Sequence, residues 1–582
     1  MIKSRRTYCE FLATYLLPQR GRLAGLAIAL FSSIGLQILN PQILRYFIDT
    51  AVAGGPQRSL IQAALGFMVI AIVRQGLAIA ATYLSETVAW SATNELRLDL
   101  TGHCLQLDLS FHKAYTPGEL LERVDGDVDA LSRFFSQFVL QVVGNGLLIG
   151  GVLGVLWWED WRAGLGLSLF TGVALGILSR LQALAVGPWR VYRQVGAEFY
   201  GFVGEYLGGL EDIRANGAVG YVMDRCYRIL RRWLKAFHRA RFRSTLLWGT
   251  TVGLFSVGTA LALALGAYLW SRDAITIGTV YLIYYYSSLI EEPVENIRQE
   301  LEQFQQAAAS FQRIRDLQQQ QSHLRPGGQA VLPQAALSVK LDAVWFGYEA
   351  APTLENVSFD LPAGQTLGLL GHTGSGKSTL ARLLLRLYDI QRGEITLGGV
   401  NIAEVSLGGL PHRVGLVTQD VQLFQTTVRN NLTFFNPRIS DEQILQTLAE
   451  LGLLPWLKQL PQGLDTVLGA DSSGLSAGQA QLLAFARVFL KDSGLAILDE
   501  ASSRLDPTTE GLIERAVDRL LEKRTGIIIA HRLKTVMRAD QILILEQGRV
   551  VEYGDRYSLM NNPRSQFSHL LKSARLERDP VG

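Results

Sequence analysis

Cysteine is nearly absent: Cys9, Cys104 and Cys226 are the three in a chain of 582 residues. They are too scattered for a disulfide framework or a thiolate metal site, so they read as reduced, structural thiols. Charge is also scarce. Asp, Glu, Lys and Arg make up 18% of the chain against 48% hydrophobic residues, a balance unusual for a wholly soluble protein. A formal net charge of +3 says little about nucleic acid. The first apolar stretch, 23–47, lacks the small-residue cleavage pattern of a signal peptide and is too long for one. It reads as a membrane-spanning helix.

The hydrophobic excess is local to the first half. Further stretches at 60–84, 138–158, 163–184, 246–270 and 275–295 each meet the roughly 20 apolar residues that a span needs. Six spans put both termini on one side. The gaps between them alternate between short and long, and the long ones carry most of the Lys and Arg, especially 225–243. By the positive-inside rule the long loops and both termini face the cytoplasm. Trp157, Trp158, Trp161 and Trp270 then form an outer aromatic belt. A short amphipathic segment at 8–17 suits a membrane surface. The long loops remain helical by pattern, so spans 2 to 5 are expected to run on as rods into the cytoplasm. Each loop breaks once, at 115–118 and at 208–217, where a short transverse helix could face a partner domain. In span 6, Glu291 and Glu292 lie roughly 24 Å below its outer end, beneath Tyr281, Tyr284, Tyr285 and Tyr286. Such a cavity suits a cationic or amphiphilic substrate. The alternative is that the two carboxylates pair with Arg74 or another helix, or reach cytoplasmic water.

The organisation expected is a transmembrane domain at 1–317, a Gln-, Gly- and Pro-rich linker at 318–335, and a nucleotide domain at 336–582. The last contains Gly371, His372, Thr373, Gly374, Ser375, Gly376, Lys377, Ser378 and Thr379, a phosphate loop between an apolar strand and a leucine-rich helix. Its glycines let backbone N–H groups point at phosphate oxygens. Lys377 reaches the β- and γ-phosphates, and Ser378 holds Mg²⁺. A second apolar strand ends in Asp499 and Glu500. Asp499 is placed to bind Mg²⁺ through water or Ser378, and Glu500 to polarise an attacking water. Between them, the stretch 474–479 opens a helix with Ser476, Gly478 and Gln479, a second anion-binding end. One nucleotide domain already has its phosphate loop, so this end is most simply used on a nucleotide held by another copy. His531 follows a further strand and could touch the γ-phosphate. Tyr348 could stack on adenine.

Taken together, these motifs resemble those of an ATP-binding-cassette exporter half-transporter, over nearly the whole chain. The resemblance implies a six-helix, all-α membrane domain of the type I exporter (type IV) fold, followed by an α/β ATPase domain. It implies Tyr348 as the adenine platform, Gln419 as the Mg²⁺-sensing glutamine, 475–479 as the signature and Asp499 as the magnesium aspartate. It also implies Glu500 as base, 503–506 with Asp506 as the dimer-interface loop, and His531 as the switch histidine. Lys377 and Gln419 join Glu500 and His531 in the catalytic set, and ATP and Mg²⁺ are the implied cofactors. The two loop breaks resemble coupling helices. The implied activity is export of a small molecule, lipid or drug-like amphiphile by a dimer in the inner membrane; a gated channel, a sensor or an importer is the alternative. There are departures: 468–473 lacks a glutamate common ahead of the signature, Ala480 and Leu482 replace basic residues, and Arg504 stands where a small residue is usual. These, with the stretch 481–490, favour a non-identical partner subunit over a second copy. No peptidase segment is expected before span 1.

Overall fold

The computed structural model describes residues 13–348, 351–469, 475–491, 493–499, 507–530 and 533–576. Among them five helices are long and apolar enough to cross a membrane: α1 (Ala13–Val52), α2 (Gln57–Gln106), α4 (Pro117–Glu159), α5 (Trp161–Gly208) and α7 (Val219–Ser271). The short α3 (Leu109–Ala114) and α6 (Leu210–Ala215) lie at the two long-loop breaks. The long helices hold 40 to 53 residues; at about 1.5 Å per residue, 50 residues run about 75 Å, more than twice a hydrocarbon layer of about 30 Å. The expected rods are therefore present. Pro117 opens α4, where its missing N–H has no helical acceptor to serve. Of the amphipathic segment expected at 8–17, residues 8–12 lie outside the described residues.

The sixth span differs from expectation. The chain forms α8 (Ile277–Leu289), breaks at Ile290, and resumes as α9 (Glu291–Gln318). Pro293 is the cause, because it has no N–H to give the Leu289 carbonyl and its ring crowds that turn. Glu291 and Glu292 are consequently the opening residues of α9, where carboxylates are favoured by the helix dipole. No ion pair joins either to Arg74 among the described residues. The tyrosines of α8 divide between two faces. Tyr286 is fully buried and donates its hydroxyl to the Ile38 carbonyl at 2.7 Å, so it belongs to the core and not to a cavity wall. Tyr284 and Tyr285 are exposed.

The chain forms two compact units, one of 1–105 with 117–320 and one of 106–116 with 321–582. The core of the first joins Leu148, Val152 and Leu156 of α4 to Leu167 and Leu178 of α5, Phe255 of α7, and Leu282 and Ile283 of α8. Its helices also leave many large apolar side chains exposed, Trp157, Trp158, Trp161 and Trp270 among them, the kind of surface that a bilayer covers.

The second unit has two sheets. One is antiparallel, in the order β2 (Leu354–Leu361), β1 (Val339–Phe346), β4 (Arg392–Leu397), β5 (Val400–Asn401). The other runs β10 (Arg549–Asp555), β9 (Gln541–Glu546), β3 (Thr366–Leu370), β8 (Thr525–Ile529), β7 (Leu495–Asp499), β6 (Val414–Val417). From β9 to β6 all pairings are parallel. The near-continuous apolar runs of β3, β7 and β8 suit a parallel sheet covered on both faces. Helices of this unit include α10 (Lys377–Leu384), α11 (Val428–Thr433), α12 (Asp441–Glu450), α13 (Leu454–Gln459), α14 (Ala477–Phe489) and α15 (Pro507–Leu521).

The loop helix α3 belongs to this unit through Asp108. That buried carboxylate caps α3 by accepting from the Phe111 N–H at 3.1 Å, and it also accepts from the His323 backbone N–H. His323 Nδ1 lies 3.1 Å from the same carboxylate. Burial pushes the Asp108 carboxyl up, but the hydrogen bonds from His323 and Phe111 outweigh it and leave the pKa below its ordinary value. A lowered folded pKa stabilises the ionised form. The contribution is therefore full above the unfolded value of about 3.9 and is lost as pH falls through the folded one. Asp108→Asn is expected to weaken the attachment of α3 by about 1–2 kcal/mol at neutral pH. Faster amide exchange across 109–116 in the variant is the readout, with the difference from wild type vanishing in acid.

Candidate functional site

The parallel sheet places its chemistry at one edge. In adjacent parallel strands all C-terminal ends point the same way, and open α/β sheets bind ligands outside those ends. The phosphate loop leaves β3, Asp499 ends β7, and Gln419 follows β6 by two residues. Across β8, both Leu369 of β3 and Asp499 of β7 pair with Ile529, which sets the carboxylate two residues short of the level of Gly371.

The loop is built by its backbone. Gly371 has φ +150°, and a Cβ there would meet the Leu545 carbonyl oxygen at 2.2 Å; Gly376 has φ +105°, and a Cβ there would stand 2.6 Å from Leu354 Cδ2. Both turns therefore require glycine, for conformation and for space. Lys377 is buried, and its Nζ donates to the Gly371 carbonyl at 2.7 Å and the His372 carbonyl at 3.0 Å. The ammonium is thus held inside the loop that it would share with a phosphate. The Ser375 hydroxyl is buried without a hydrogen-bond partner among the described residues, a group that a ligand oxygen would satisfy. His372, Thr373, Gly374 and Ser378 are exposed, so the mouth of the loop is open. Thr379 is buried, and its Oγ1 lies 3.1 Å from the Tyr348 hydroxyl. Tyr348 is thereby fastened to the first turn of α10.

The signature helix α14 begins with a capping box. Ser476 Oγ accepts from the Gln479 N–H at 3.1 Å, and Gln479 Oε1 accepts from the Ser476 N–H at 2.9 Å. The N–H groups of Ala477 and Gly478, within the first turn, have no helical acceptor and remain for an anion. The Ser-x-x-Gln spacing announces this cap in the sequence. Ala480 and Leu482, which stand in place of basic residues common in the family that the motifs resemble, are 8% and 1% exposed. Their substitution therefore alters the interior and not the surface.

The helices that the two anion-binding ends open pack differently. The helix after the phosphate loop packs through Leu380, Leu383 and Leu384 into one hydrophobic cluster. The signature helix packs through Leu482, Leu483 and Phe485 into another. No hydrogen bond joins 371–379 to 475–479 among the described residues. Glu500, Asp506 and His531 lie outside the described residues.

A polar hub that no sequence motif marks is tied to the signature helix. Asn431 is 1% exposed; its Oδ1 accepts from the Phe424 N–H at 2.9 Å and its Nδ2 donates to the Phe424 carbonyl at 2.9 Å. Arg487 of α14 donates to the Asn431 carbonyl at 2.9 Å and the Gln422 carbonyl at 3.0 Å. The segment after Gln419 is thereby tied to the signature helix. Asn431→Ala leaves buried backbone groups unpaired and is expected to cost about 2–3 kcal/mol of stability. Chemical denaturation of the full chain, set against Asn430→Ala as an adjacent control, measures it.

Two sequence profiles cover most of the chain. One, described as the ABC transporter transmembrane region, matches 23–294, and one, described as ABC transporter, matches 354–503. The chain belongs to the ABC transporter family. A curated relative, the ATP-dependent lipid A-core flippase 1 of Colwellia psychrerythraea, is 29% identical over 94% of this chain and 93% of its own. An uncharacterized ABC transporter ATP-binding protein of Bacillus subtilis, YknV, is 28% identical over 94% and 92%. A solved bacterial Atm1-family ABC exporter with ATP bound superposes with a TM-score of 0.81, covering 97% of this chain and 99% of that one at 24% identity; that likeness shows the fold. This ABC transporter is accordingly a multi-pass membrane protein with an ATPase domain, and ABC half-transporters act as dimers.

Proposed function

We propose that the chain is one subunit of a dimeric exporter that moves a lipid or amphiphilic small molecule across the inner membrane by alternating access, driven by ATP hydrolysis. The observation that carries the proposal is that the helices opening at the phosphate loop and at the signature pack into different hydrophobic clusters of one unit, on a chain with five membrane-length helices among the described residues. Each end alone is half of a nucleotide site. Two subunits arranged head to tail complete both sites, so that ATP on the loop of one meets Ser476, Gly478, Gln479 and the Asp506 loop of the other. Closure draws the long helices together on the cytoplasmic side, and hydrolysis releases them. Glu500 acts as general base, with His531 and Gln419 beside the γ-phosphate.

Mg²⁺ fits the residues present. Ser378, Gln419 and Asp499 offer hydroxyl, amide and carboxylate oxygens, the hard donors that this ion takes alongside phosphates. Among the described residues no cluster of three or more His, Cys, Asp or Glu competes for a metal. When bound, the ion neutralises charge between the β- and γ-phosphates.

The lipid-like cargo is supported by the relatives named as lipid A-core flippases, and by the exposed Tyr284 and Tyr285 that precede Glu291 and Glu292 in the chain. A non-identical partner is favoured over a second copy, on Arg504 and the 468–473 segment. The test is reconstitution in proteoliposomes with a fluorescent lipid. ATP-dependent movement away from the nucleotide-domain side, reduced in Glu500→Gln, supports export. Inward movement, or flux that runs only down a gradient, supports the importer or channel reading instead.

A further inference from the structure

The helix α3 carries Lys113 in its last turn, where a cation is favoured by the helix dipole. Its Nζ stands 3.8 Å from the centroid of the Tyr348 ring and 5.6 Å from that of Tyr388. Tyr348 has little freedom to move away. Its hydroxyl is shared with Thr379 and accepts from Arg382, both at 3.1 Å, and Phe346 and Tyr388 pack edgewise against it with centroids at 5.0 and 5.1 Å. Beside the ring is a cavity of about 310 Å³, bordered by Lys113, His323, Leu324, Tyr348 and Tyr388. That is the lower end of the range for small-molecule pockets, roughly 300–1,000 Å³.

A cation this close to the centroid occupies one face of the aromatic ring. A purine stacking on that face needs the same layer, about 3.5–4 Å thick. Both cannot be there together. We infer that Lys113 is a base-sensing residue: it covers one face of the Tyr348 ring and competes with adenine for that face. Because α3 joins α2 to α4 in the chain, its release reports base occupancy directly to the connection between two membrane-length helices. The sensor works beside the phosphates and independently of them. This inference rests on the reading of Tyr348 as the adenine platform.

Nucleotide affinity of the full chain with its partner subunit, in the Glu500→Gln background and without Mg²⁺ so that neither site turns over, provides the test. Lys113 is exposed, so its replacement leaves the core intact. Lys113→Met is expected to bind ATP about two- to fivefold more tightly, the range that loss of one competing, exposed cation–π contact produces. Tripolyphosphate, which has no base, should bind as it does to the parent. Lys113→Arg should restore the parent's ATP affinity. Unchanged or weaker ATP binding in Lys113→Met, or an equal shift for tripolyphosphate, overturns the inference. Tyr348→Leu separates the two readings. If it leaves ATP affinity intact, the adenine platform itself falls. If it weakens ATP while Lys113→Met fails to tighten it, only the sensor falls.

Discussion

Lys377→Ala is expected to lose ATP binding and to lower hydrolysis at its own site by at least about 10²–10³-fold, the effect of deleting one preorganised donor from a developing charge. The geometry explains the size. The Lys377 ammonium is buried and donates to the Gly371 and His372 carbonyls, so the loop keeps a positive charge at its centre before any phosphate enters. Alanine removes that charge and leaves two carbonyls facing where phosphate oxygens would come, which is repulsive. Lys377→Arg is not expected to rescue it, because a planar five-donor fork does not fit a position shaped for a point charge. Equilibrium binding of a fluorescent ATP analogue, followed by phosphate release, measures both losses. The unfolding midpoint of the variant checks that the fold survives.

Glu500→Gln is expected to behave oppositely in binding and similarly in turnover. The amide keeps the shape of the side chain but cannot accept a proton from water, and loss of a general base costs typically 10²–10⁴-fold. ATP should bind normally and accumulate in a closed, two-subunit form that gel filtration with Mg²⁺ and ATP resolves. The argument comes from position in the chain: Asp499 ends β7 at the ligand edge of the sheet, and Glu500 is the next residue. With a non-identical partner that has a competent site of its own, the loss in the whole complex is only partial. Retained binding in Glu500→Gln against lost binding in Lys377→Ala distinguishes base from phosphate ligand.

The parts of the molecule legible in sequence were those whose causes are local. Gly371 and Gly376 sit where φ is positive, and a strand, a tight loop and a helix follow one another within 20 residues of chain. The long helices show as apolar runs that continue into helical patterns. The break in the sixth span was also local, since Pro293 is in plain view, but averaging hydropathy over a window hides one missing N–H. Other features hang on residues far apart in the chain and leave no periodic trace. The Tyr286 hydroxyl reaches Ile38, 248 residues away, so nothing in the run of tyrosines tells the buried ring from the exposed ones. Asp108 and His323, and Lys113 and Tyr348, are joined only by folding. Asn431 looks like an ordinary polar residue in a short helix until the segment around it closes.

The central claim is that each ATP site is completed by a second subunit. A cryo-electron microscopy structure of the Glu500→Gln assembly with Mg²⁺ and ATP tests it most directly. The account predicts the γ-phosphate between Lys377 of one subunit and the α14 N-terminal end, at Ser476 and Gly478, of a different subunit facing it. ATP enclosed by the phosphate loop and the Ser476 end of the same subunit would contradict it.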